Sequence, residues 1–304
     1  MDKPGEEDTR NETVARFWND RHKDAEGEAH DNYLNHPLIQ AYISLRALGS
    51  LVSHSDAAIH AIRSHTNPGD HVLSLGCGIG VKERILAQAM PDRQFTGFDI
   101  AADIVEMGQA EVIKAGIDNL QLEVGNFNEL QLAPDSIQVL LGLGAIHHVE
   151  NLENLWEQSG RALTSGGVVL AQEYIGPNRF QWTDDQIAAC DHALSTLVGE
   201  EHKSSHHRVE RVSVADMIAA DPSEAVRSAE ILSTCTDAGF TIQSYNSAGG
   251  ALLQPILMYQ IHTFDPRNWQ HNQTLANLFA EEDRLMAKGV LNDDFAMFVA
   301  RPPA

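Results

Sequence analysis

The chain has 304 residues, of which 43% are hydrophobic and 21% are charged, a composition that excludes a disordered chain and suffices for a sizeable core. The net charge of −22 argues against a nucleic-acid-binding protein and against docking on an anionic membrane surface, because both need clustered Lys and Arg. No segment predicts a membrane-spanning helix, the N-terminus has no apolar signal region, and three widely spaced cysteines imply no disulfide framework. We therefore expect a cytoplasmic protein.

Apolar residues at helical spacing predict two or three helices between residues 14 and 65, with a break near Asn35, His36 and Pro37. Trp18 lies on the first of these apolar stripes and Tyr42 lies on the second. We interpret residues 1–65 as an N-terminal helical cap.

Short apolar runs that predict strands alternate with helical segments from about residue 66 to residue 174. The predicted strands are His71–Leu75, 94–100, Leu120–Val124, Ile137–Leu143 and 168–174. Helices are expected at about 81–90, 102–115 and 152–163, with a turn at 164–167. This alternation implies right-handed crossovers and a parallel sheet in an α/β fold.

The alternation stops after residue 174. The run Asp221-Pro222-Ser223-Glu224 carries the cap residue, proline and glutamate of a helix start, and this helix should end near residue 239. Two late strands are predicted at 240–245 and 295–300, with helices between them at about 251–263 and 270–288. We expect one domain over residues 66–304, with helical insertions at about 180–222 and 251–292.

A glycine-rich turn, Gly76-x-Gly78-x-Gly80, follows the first strand. It lacks the third glycine of a dinucleotide fingerprint, because position 81 is Val81, and it lacks the Lys-Ser/Thr of a P-loop. Asp99 ends the second strand, where a carboxylate can accept both hydroxyls of a ribose. A tight strand–helix turn and a helix-capping aspartate are the simpler alternatives.

Five segments resemble, in order, the motifs of class I S-adenosylmethionine-dependent methyltransferases. They are VLSLGCGIG (72–80), GFDI (97–100), GNFNEL (125–130), GLGAIHHVENLENLW (142–156) and LTSGGVVLAQEYIGPNRFQW (163–182). The resemblance implies a Rossmann-like, doubly wound sheet of seven strands, with order 3-2-1-4-5-7-6 and strand 7 antiparallel. It implies S-adenosylmethionine as cofactor and S-adenosylhomocysteine as product.

The resemblance also implies which positions bind the cofactor. They are Gly76, Cys77 and Gly78 under the methionine part, Asp99 at the ribose, Ile100, Asn126 and Phe127 around the adenine, and Leu143 and Gly144 beneath the sulfonium. Ser74 departs from the pattern, because the family often has an acid there that contacts the cofactor amino group. Asn126 stands where an aspartate is usual, but its carbonyl can accept from an adenine amine.

Methyl transfer needs a positioned acceptor, and it needs a base only where the acceptor loses a proton. His147 and His148 follow the fourth strand, and histidine suits a base because its pKa lies near neutrality. Glu173 ends the fifth strand on the same side of the sheet. We predict these three as catalytic residues, with packing and helix entry as the alternative role for the histidines.

Five residues are predicted to bind the acceptor: Trp18, Tyr33, Tyr174, Arg179 and Trp182. Plain core packing is the alternative for Trp18, and loop anchoring is the alternative for Arg179 and Trp182. The set Glu201, His202, His206 and His207 invites a metal interpretation, but no Cys or Asp completes it, and we expect a solvated loop and no metal.

The sequence is therefore interpreted as a methyltransferase that acts on a small molecule such as a sugar, a metabolite or a natural-product intermediate. Oxygen is the expected target, with nitrogen or carbon next. Two alternatives stay open: a cofactor-binding enzyme with other chemistry, and a non-catalytic partner subunit. We expect no nucleic-acid or membrane partner, and a homodimer stays open.

Overall fold

A seven-stranded mixed sheet forms the centre of the protein in the computed structural model, which describes residues 6–23, 32–203 and 207–303. Its strands are β1 (His71–Leu75), β2 (Gln94–Asp99), β3 (Leu120–Val124), β4 (Ile137–Leu143), β5 (Leu163–Tyr174), β6 (Thr241–Gly249) and β7 (Phe295–Arg301). Their order is β3-β2-β1-β4-β5-β7-β6. The pairs among β1–β5 are parallel, and β7 is antiparallel to β5 and β6. The predicted fold class and strand order are confirmed.

Helices cover both faces of this sheet. Those of the described residues are α1 (Glu6–Lys23), α2 (Pro37–Leu48), α3 (His54–His65), α4 (Val81–Ala89), α5 (Ala102–Lys114), α6 (Leu152–Ala162), α7 (Asp184–Leu197), α8 (Val214–Ala220), α9 (Ile231–Asp237), α10 (Leu253–Leu257) and α11 (Trp269–Ala287). The central strands are continuous apolar runs because both of their faces are covered.

Three apolar clusters make up the core. One lies between the sheet and α3–α5, and it includes Ile62 and Leu86. A second lies on the side of α6 and α9, around Trp156. The third joins α2, α7, α10 and α11 with residues of β5 and β6. Helix α2 thus shares a core with the helices after β5, and the division of the chain at residue 65 stays a prediction.

The predicted helix from Asp221 is wrong over residues 222–230, where the chain makes turns before α9 begins. The Oδ1 atom of Asp221 accepts from the main-chain N–H and the hydroxyl of Ser223, which closes a local turn. Ala225 has a φ of 47°, which no right-handed helix allows. The Arg179 guanidinium also takes the carbonyl oxygens of this segment, which helical hydrogen bonds would need.

The predicted turn at residues 164–167 is also wrong, because β5 already begins at Leu163 and continues through these residues. Leu163 pairs with Ile137 of β4, and a register shift before Val139 accommodates the glycines. Among the described helices, none combines the length and the apolar character that crossing a membrane requires.

Candidate functional site

The glycine loop after β1 lies at the carboxyl edge of the sheet and leads directly into α4. Gly76 has a φ of 64°, and a Cβ there would lie 2.7 Å from the Cβ of Ala145. Gly80, with a φ of 68°, forms the N-cap of α4, and its Cβ would lie 2.7 Å from Leu122. Both positions require glycine because of conformation and of space. The loop therefore packs closely on Ala145 and Leu122, and it leads into a helix start whose first N–H groups can bind a ligand.

Asp99, at the end of β2, holds this loop in place. Its Oδ2 atom accepts from the main-chain N–H of Gly78 at 2.9 Å, and its Oδ1 atom accepts from that of Ala101 at 2.9 Å. Each carboxylate oxygen has a second lone pair, so both can still accept a hydroxyl of a ribose.

The neighbouring residues after β2 and β3 form a half-buried wall beside the loop. Ile100 follows Asp99 directly, and the ring of Phe127 would lie 3.8 Å from a Cβ on Gly76. The Oδ1 atom of Asn126 accepts from the main-chain N–H of Asn128, and its amide donates to Glu129. Both polar ends of Asn126 thus have partners within the chain.

The end of β4 meets the glycine loop at Ala145. The Leu143 carbonyl accepts from the Lys82 ammonium at 2.8 Å, and Gly144 follows with a φ of 76°. Glycine at position 142 makes room for the Glu173 carboxylate, because a Cβ there would lie 3.1 Å from its Oε1 atom. Leu143 and Gly144 therefore lie where the glycine loop and Glu173 come together.

The three residues predicted as catalytic come together at this edge. The Oε1 atom of Glu173 accepts from the main-chain N–H groups of Ala145 and Ile146, each at 2.8 Å. Its Oε2 atom lies 2.7 Å from Nδ1 of His147. The rings of His147 and His148 lie next to each other, with centroids 4.2 Å apart. Because Glu173 is 1% exposed, this carboxylate needs the donors that surround it.

The two histidines differ in their pKa values. Burial alone would lower the pKa of His147, but its hydrogen bond to Glu173 and the charge of Glu224 outweigh burial, and the pKa is raised. Burial and the neighbouring charge of His147 lower the pKa of His148. Burial would raise the pKa of Glu173, but the hydrogen bond and charge of His147 lower it. The pair His147–Glu173 therefore favours a charged carboxylate beside an imidazole that binds protons readily.

His148 belongs to a separate chain of hydrogen bonds. Its Nδ1 atom lies 3.1 Å from the Ser223 hydroxyl, which donates to Asp221 at 2.9 Å. The Trp18 indole donates to the same hydroxyl at 3.4 Å, and its ring meets His148 edge-on at 5.3 Å. Helix α1 thus brings Trp18, a predicted acceptor-binding residue, into contact with Ser223 and His148.

Within residues 6–23, 32–203 and 207–303, one group of side chains has the spacing of a metal site: His147, His148 and Glu224, with ligand atoms within 4.8 Å of one another. In His147, however, Nδ1 faces Glu173 and Nε2 lies 3.5 Å from Glu224. Both ring nitrogens thus face carboxylates, which stabilise the protonated form of the ring.

Arg179 supports the segment that carries Glu224. Its guanidinium donates to the carbonyl oxygens of Pro222 and Glu224, each at 2.9 Å, and its main-chain N–H donates to Ala225 at 2.7 Å. The side chain is 8% exposed. This position favours loop anchoring over direct contact with an acceptor, although the predicted role of Arg179 stays a prediction.

The remaining acceptor-binding predictions are buried aromatic residues. Tyr174 meets His147 edge-on at 6.4 Å and donates its hydroxyl to the carbonyl of Pro177. Trp182 stacks on Phe180 within the third apolar cluster. Tyr33 is buried in the same cluster, and its hydroxyl has no hydrogen-bond partner among the described residues. Of these three residues, Tyr174 is the one whose ring meets that of His147.

The expectation of a solvated loop is wrong for His202, which is buried and stacks on Phe264 with ring centroids 3.9 Å apart. Its Nδ1 atom lies 3.0 Å from the Thr263 hydroxyl. His206 lies outside the described residues.

Two acids at this edge, Glu224 and Glu83, are not among the residues predicted from the sequence. Glu224 was assigned to a helix start, and its approach to His147 depends on the turns that replace that helix. Glu83, in the first turn of α4, lies buried against Ser74. The sequence does carry one sign of Glu83, because Ser74 stands where the family often has an acid, and a nearby acid could replace it.

A family model described as a methyltransferase domain matches residues 66–231, which is more than half of the chain. The protein therefore belongs to this methyltransferase-domain family. The match begins just before β1 and reaches the first residue of α9, so it includes the glycine loop and the His147–Glu173 pair.

Particular relatives are more distant. The arsenite methyltransferase of Halobacterium salinarum is 24% identical over 135 residues, 43% of this chain and 34% of that protein. The 27-O-demethylrifamycin SV methyltransferase of Amycolatopsis mediterranei is 29% identical over 108 residues, 35% of this chain and 39% of that protein. The chain thus spans about a third of the length of such curated relatives.

A solved structure resembles the whole chain. The geranyl diphosphate C-methyltransferase of Streptomyces coelicolor A3(2), solved with Mg²⁺, geranyl diphosphate and S-adenosyl-L-homocysteine, superposes with a TM-score of 0.55 and covers 96% of both chains. The sequence identity is 14%, so this likeness concerns the fold alone.

Proposed function

We propose that this protein transfers a methyl group from S-adenosylmethionine to a hydroxyl oxygen of a small acceptor. The observation that carries the proposal is the 2.7 Å hydrogen bond between Nδ1 of His147 and the buried Glu173, next to the glycine loop. Membership of the methyltransferase-domain family supports the reaction class. A relative named for a rifamycin substrate supports a small acceptor.

The residues at this edge fit the cofactor. Gly76 lets the loop pack closely on Ala145, and Asp99 keeps a free lone pair on each oxygen for a ribose hydroxyl. Phe127 offers an aromatic face beside the loop. When bound, S-adenosylmethionine supplies the methyl group that the acceptor oxygen takes by in-line displacement.

His147 acts as the base in this proposal. Its Nδ1–H donates to Glu173, which fixes the tautomer and leaves the lone pair of Nε2 to receive the hydroxyl proton. Glu224, 3.5 Å from Nε2, stabilises the imidazolium that forms. The same carboxylates raise the pKa of His147, so the ring holds the proton until the product leaves.

Burial around His147 excludes water from the proton transfer. Tyr174 and Trp18 lie edge-on to the two histidine rings, and the His147 side chain is 12% exposed. A small acceptor can reach such a buried side chain more easily than a macromolecule can. The three acids Glu173, Asp221 and Glu224 make the surroundings anionic, which favours neutral or cationic acceptors over anionic ones.

The experiment is a screen of alcohols, sugars, phenols, amines and carbon nucleophiles with methyl-labelled S-adenosylmethionine. We expect the label in an O-methyl product together with an equal amount of S-adenosylhomocysteine. Label on nitrogen or carbon would contradict the oxygen target, and cofactor turnover without S-adenosylhomocysteine would contradict methyl transfer altogether.

The cofactor site has its own test. Asp99→Ala removes charge-assisted hydrogen bonds worth about 1.5–3 kcal/mol each, so calorimetry should show at least about a tenfold loss of S-adenosylmethionine affinity. Circular dichroism should confirm an intact fold. Unchanged affinity would contradict the assignment of Asp99 to the ribose.

A further inference from the structure

A buried carboxylate lies beneath the glycine loop with one of its oxygens unused. Glu83, in the first turn of α4, is 3% exposed, and its Oε1 atom accepts from the Ser74 hydroxyl at 2.7 Å. Its Oε2 atom is buried and has no hydrogen-bond partner among the described residues. A buried carboxylate oxygen without a donor is unfavourable, which points to a donor that arrives with a ligand.

The surroundings place this oxygen at the ligand edge of the sheet. The charges of Glu83 and Asp99 both add to burial in raising the pKa of the Cys77 thiol, so Glu83 lies beside the loop that Asp99 holds. The preceding residue, Lys82, reaches the Leu143 carbonyl at the end of β4. Glu83 therefore lies next to the carboxyl end of β1, beside the glycine loop.

We propose that Glu83 receives the α-ammonium group of the methionine part of S-adenosylmethionine on its Oε2 atom, while Ser74 orients the carboxylate through Oε1. This inference rests on the proposed function, because it assumes that the loop binds this cofactor. An ammonium group has three donors and a full positive charge, and it matches a buried carboxylate whose Oε2 atom has no hydrogen-bond partner among the described residues.

The pair Ser74–Glu83 also explains the departure in β1. The resemblance implies an acid at position 74, where this chain has a serine. Glu83, in the next helix, places a carboxylate beside that serine and accepts a hydrogen bond from it. The negative charge is thus kept, but it comes from α4 rather than from β1.

The test is calorimetric and needs no acceptor. S-adenosylhomocysteine is compared with its deamino analogue, which lacks only the α-amino group, on the wild-type protein and on Glu83→Gln. We expect the wild type to bind S-adenosylhomocysteine at least about tenfold more tightly than the analogue, and Glu83→Gln to lose most of this preference. The affinity for the analogue itself should stay within about twofold.

Two further variants separate this role from a structural one. Ser74→Asp combined with Glu83→Ser returns the acid to β1 and should restore the preference for the amino group. Glu282→Gln, which changes a buried glutamate elsewhere, should leave the preference intact.

Equal losses for both ligands in Glu83→Gln would overturn the inference, as would a wild type that binds both ligands equally. If Glu83→Gln does not fold, the test uses the preference of the wild type and of Ser74→Asp/Glu83→Ser for S-adenosylhomocysteine over its deamino analogue. A wild type that binds no S-adenosylhomocysteine contradicts the proposed function instead.

Discussion

Glu173 and Glu282 are two buried glutamates that the chain surrounds in similar ways, in different parts of the molecule. Glu173 accepts from the main-chain N–H groups of residues 145–147 at the end of β4. Glu282, in α11, accepts from those of Gly250, Leu252 and Leu253 at the start of α10. Each carboxylate thus replaces water with three N–H groups.

The two glutamates differ in the side chain that completes the set. Glu173 has the His147 imidazole at 2.7 Å, and Glu282 has the Tyr42 hydroxyl at 3.0 Å. Burial raises the pKa of Glu282, against its hydrogen bonds, whereas His147 lowers the pKa of Glu173. Backbone donors and a tyrosine hydroxyl therefore anchor a segment at Glu282, and a histidine partner at the ligand edge adds a group that titrates near neutral pH to the same arrangement.

The largest expected effect is on activity, which should depend on the region of Glu173 and not on that of Glu282. His147→Ala should lower kcat by about 10²–10⁴-fold with the acceptor that the screen identifies, because a base is lost. The S-adenosylhomocysteine affinity should change by no more than about twofold. His148→Ala should lose less than about tenfold, because its Nδ1 atom pairs with Ser223 and not with Glu173.

Glu282→Gln is the matched control in the same assay, and it should keep kcat within a few-fold below its melting temperature. If His147→Ala and Glu282→Gln lose activity equally, the contrast between the two regions is wrong.

The next effect is on the stability of the fold, which should depend on Glu282. In Glu282→Gln, an NH2 group that cannot accept replaces one of the two carboxyl oxygens that accept from three N–H groups, and we expect about 1–3 kcal/mol less free energy of unfolding in urea. Cofactor affinity should not change, because α10 and α11 lie outside the ligand edge. A stability equal to that of the wild type would show that Glu282 does not anchor α10.

A smaller effect concerns the pH dependence of the anchor region. Burial raises the pKa of Asp294 to about 7, and the charge of Glu282 adds to this. The folded protein thus retains a proton between about pH 4 and 7 that the unfolded chain has lost, so stability falls as pH rises through this window. Asp294→Asn keeps an acceptor for Gln186 and removes the titration.

We therefore expect the melting temperature of Asp294→Asn to rise relative to that of the wild type between pH 5 and pH 8. Parallel melting curves for the two proteins over this range would contradict a raised pKa for Asp294.

The sheet could be predicted from the sequence because short local patterns mark each strand, and the rules for parallel strands then bring those segments together. Apolar runs, the glycine loop and Asp99 all lie in short segments, and parallel strands bring their carboxyl ends to one edge. His147 and Glu173 could be predicted on the same ground, as residues at the ends of adjacent strands β4 and β5. Their proposed chemistry stays a prediction.

The rest depends on contacts between distant segments. The local helix signals at Asp221 are sound, yet Arg179 binds the carbonyl groups that a helix would use. Glu224 consequently faces His147, which no local pattern indicates. The contact of Glu83 with Ser74 likewise joins a helix to a strand, and only the packing of α4 on the sheet reveals it.

Titration of the His147 imidazole by NMR, in the wild-type protein and in Glu173→Gln, tests most directly whether Glu173 holds this ring as a proton acceptor. We predict a wild-type pKa above 6.5, a neutral ring protonated on Nδ1, and a lower pKa in Glu173→Gln, with Glu224, Asp221 and His148 present in both proteins. A wild-type pKa at or below 6.5 that Glu173→Gln leaves unchanged, or a neutral ring protonated on Nε2, would contradict the role proposed for the pair.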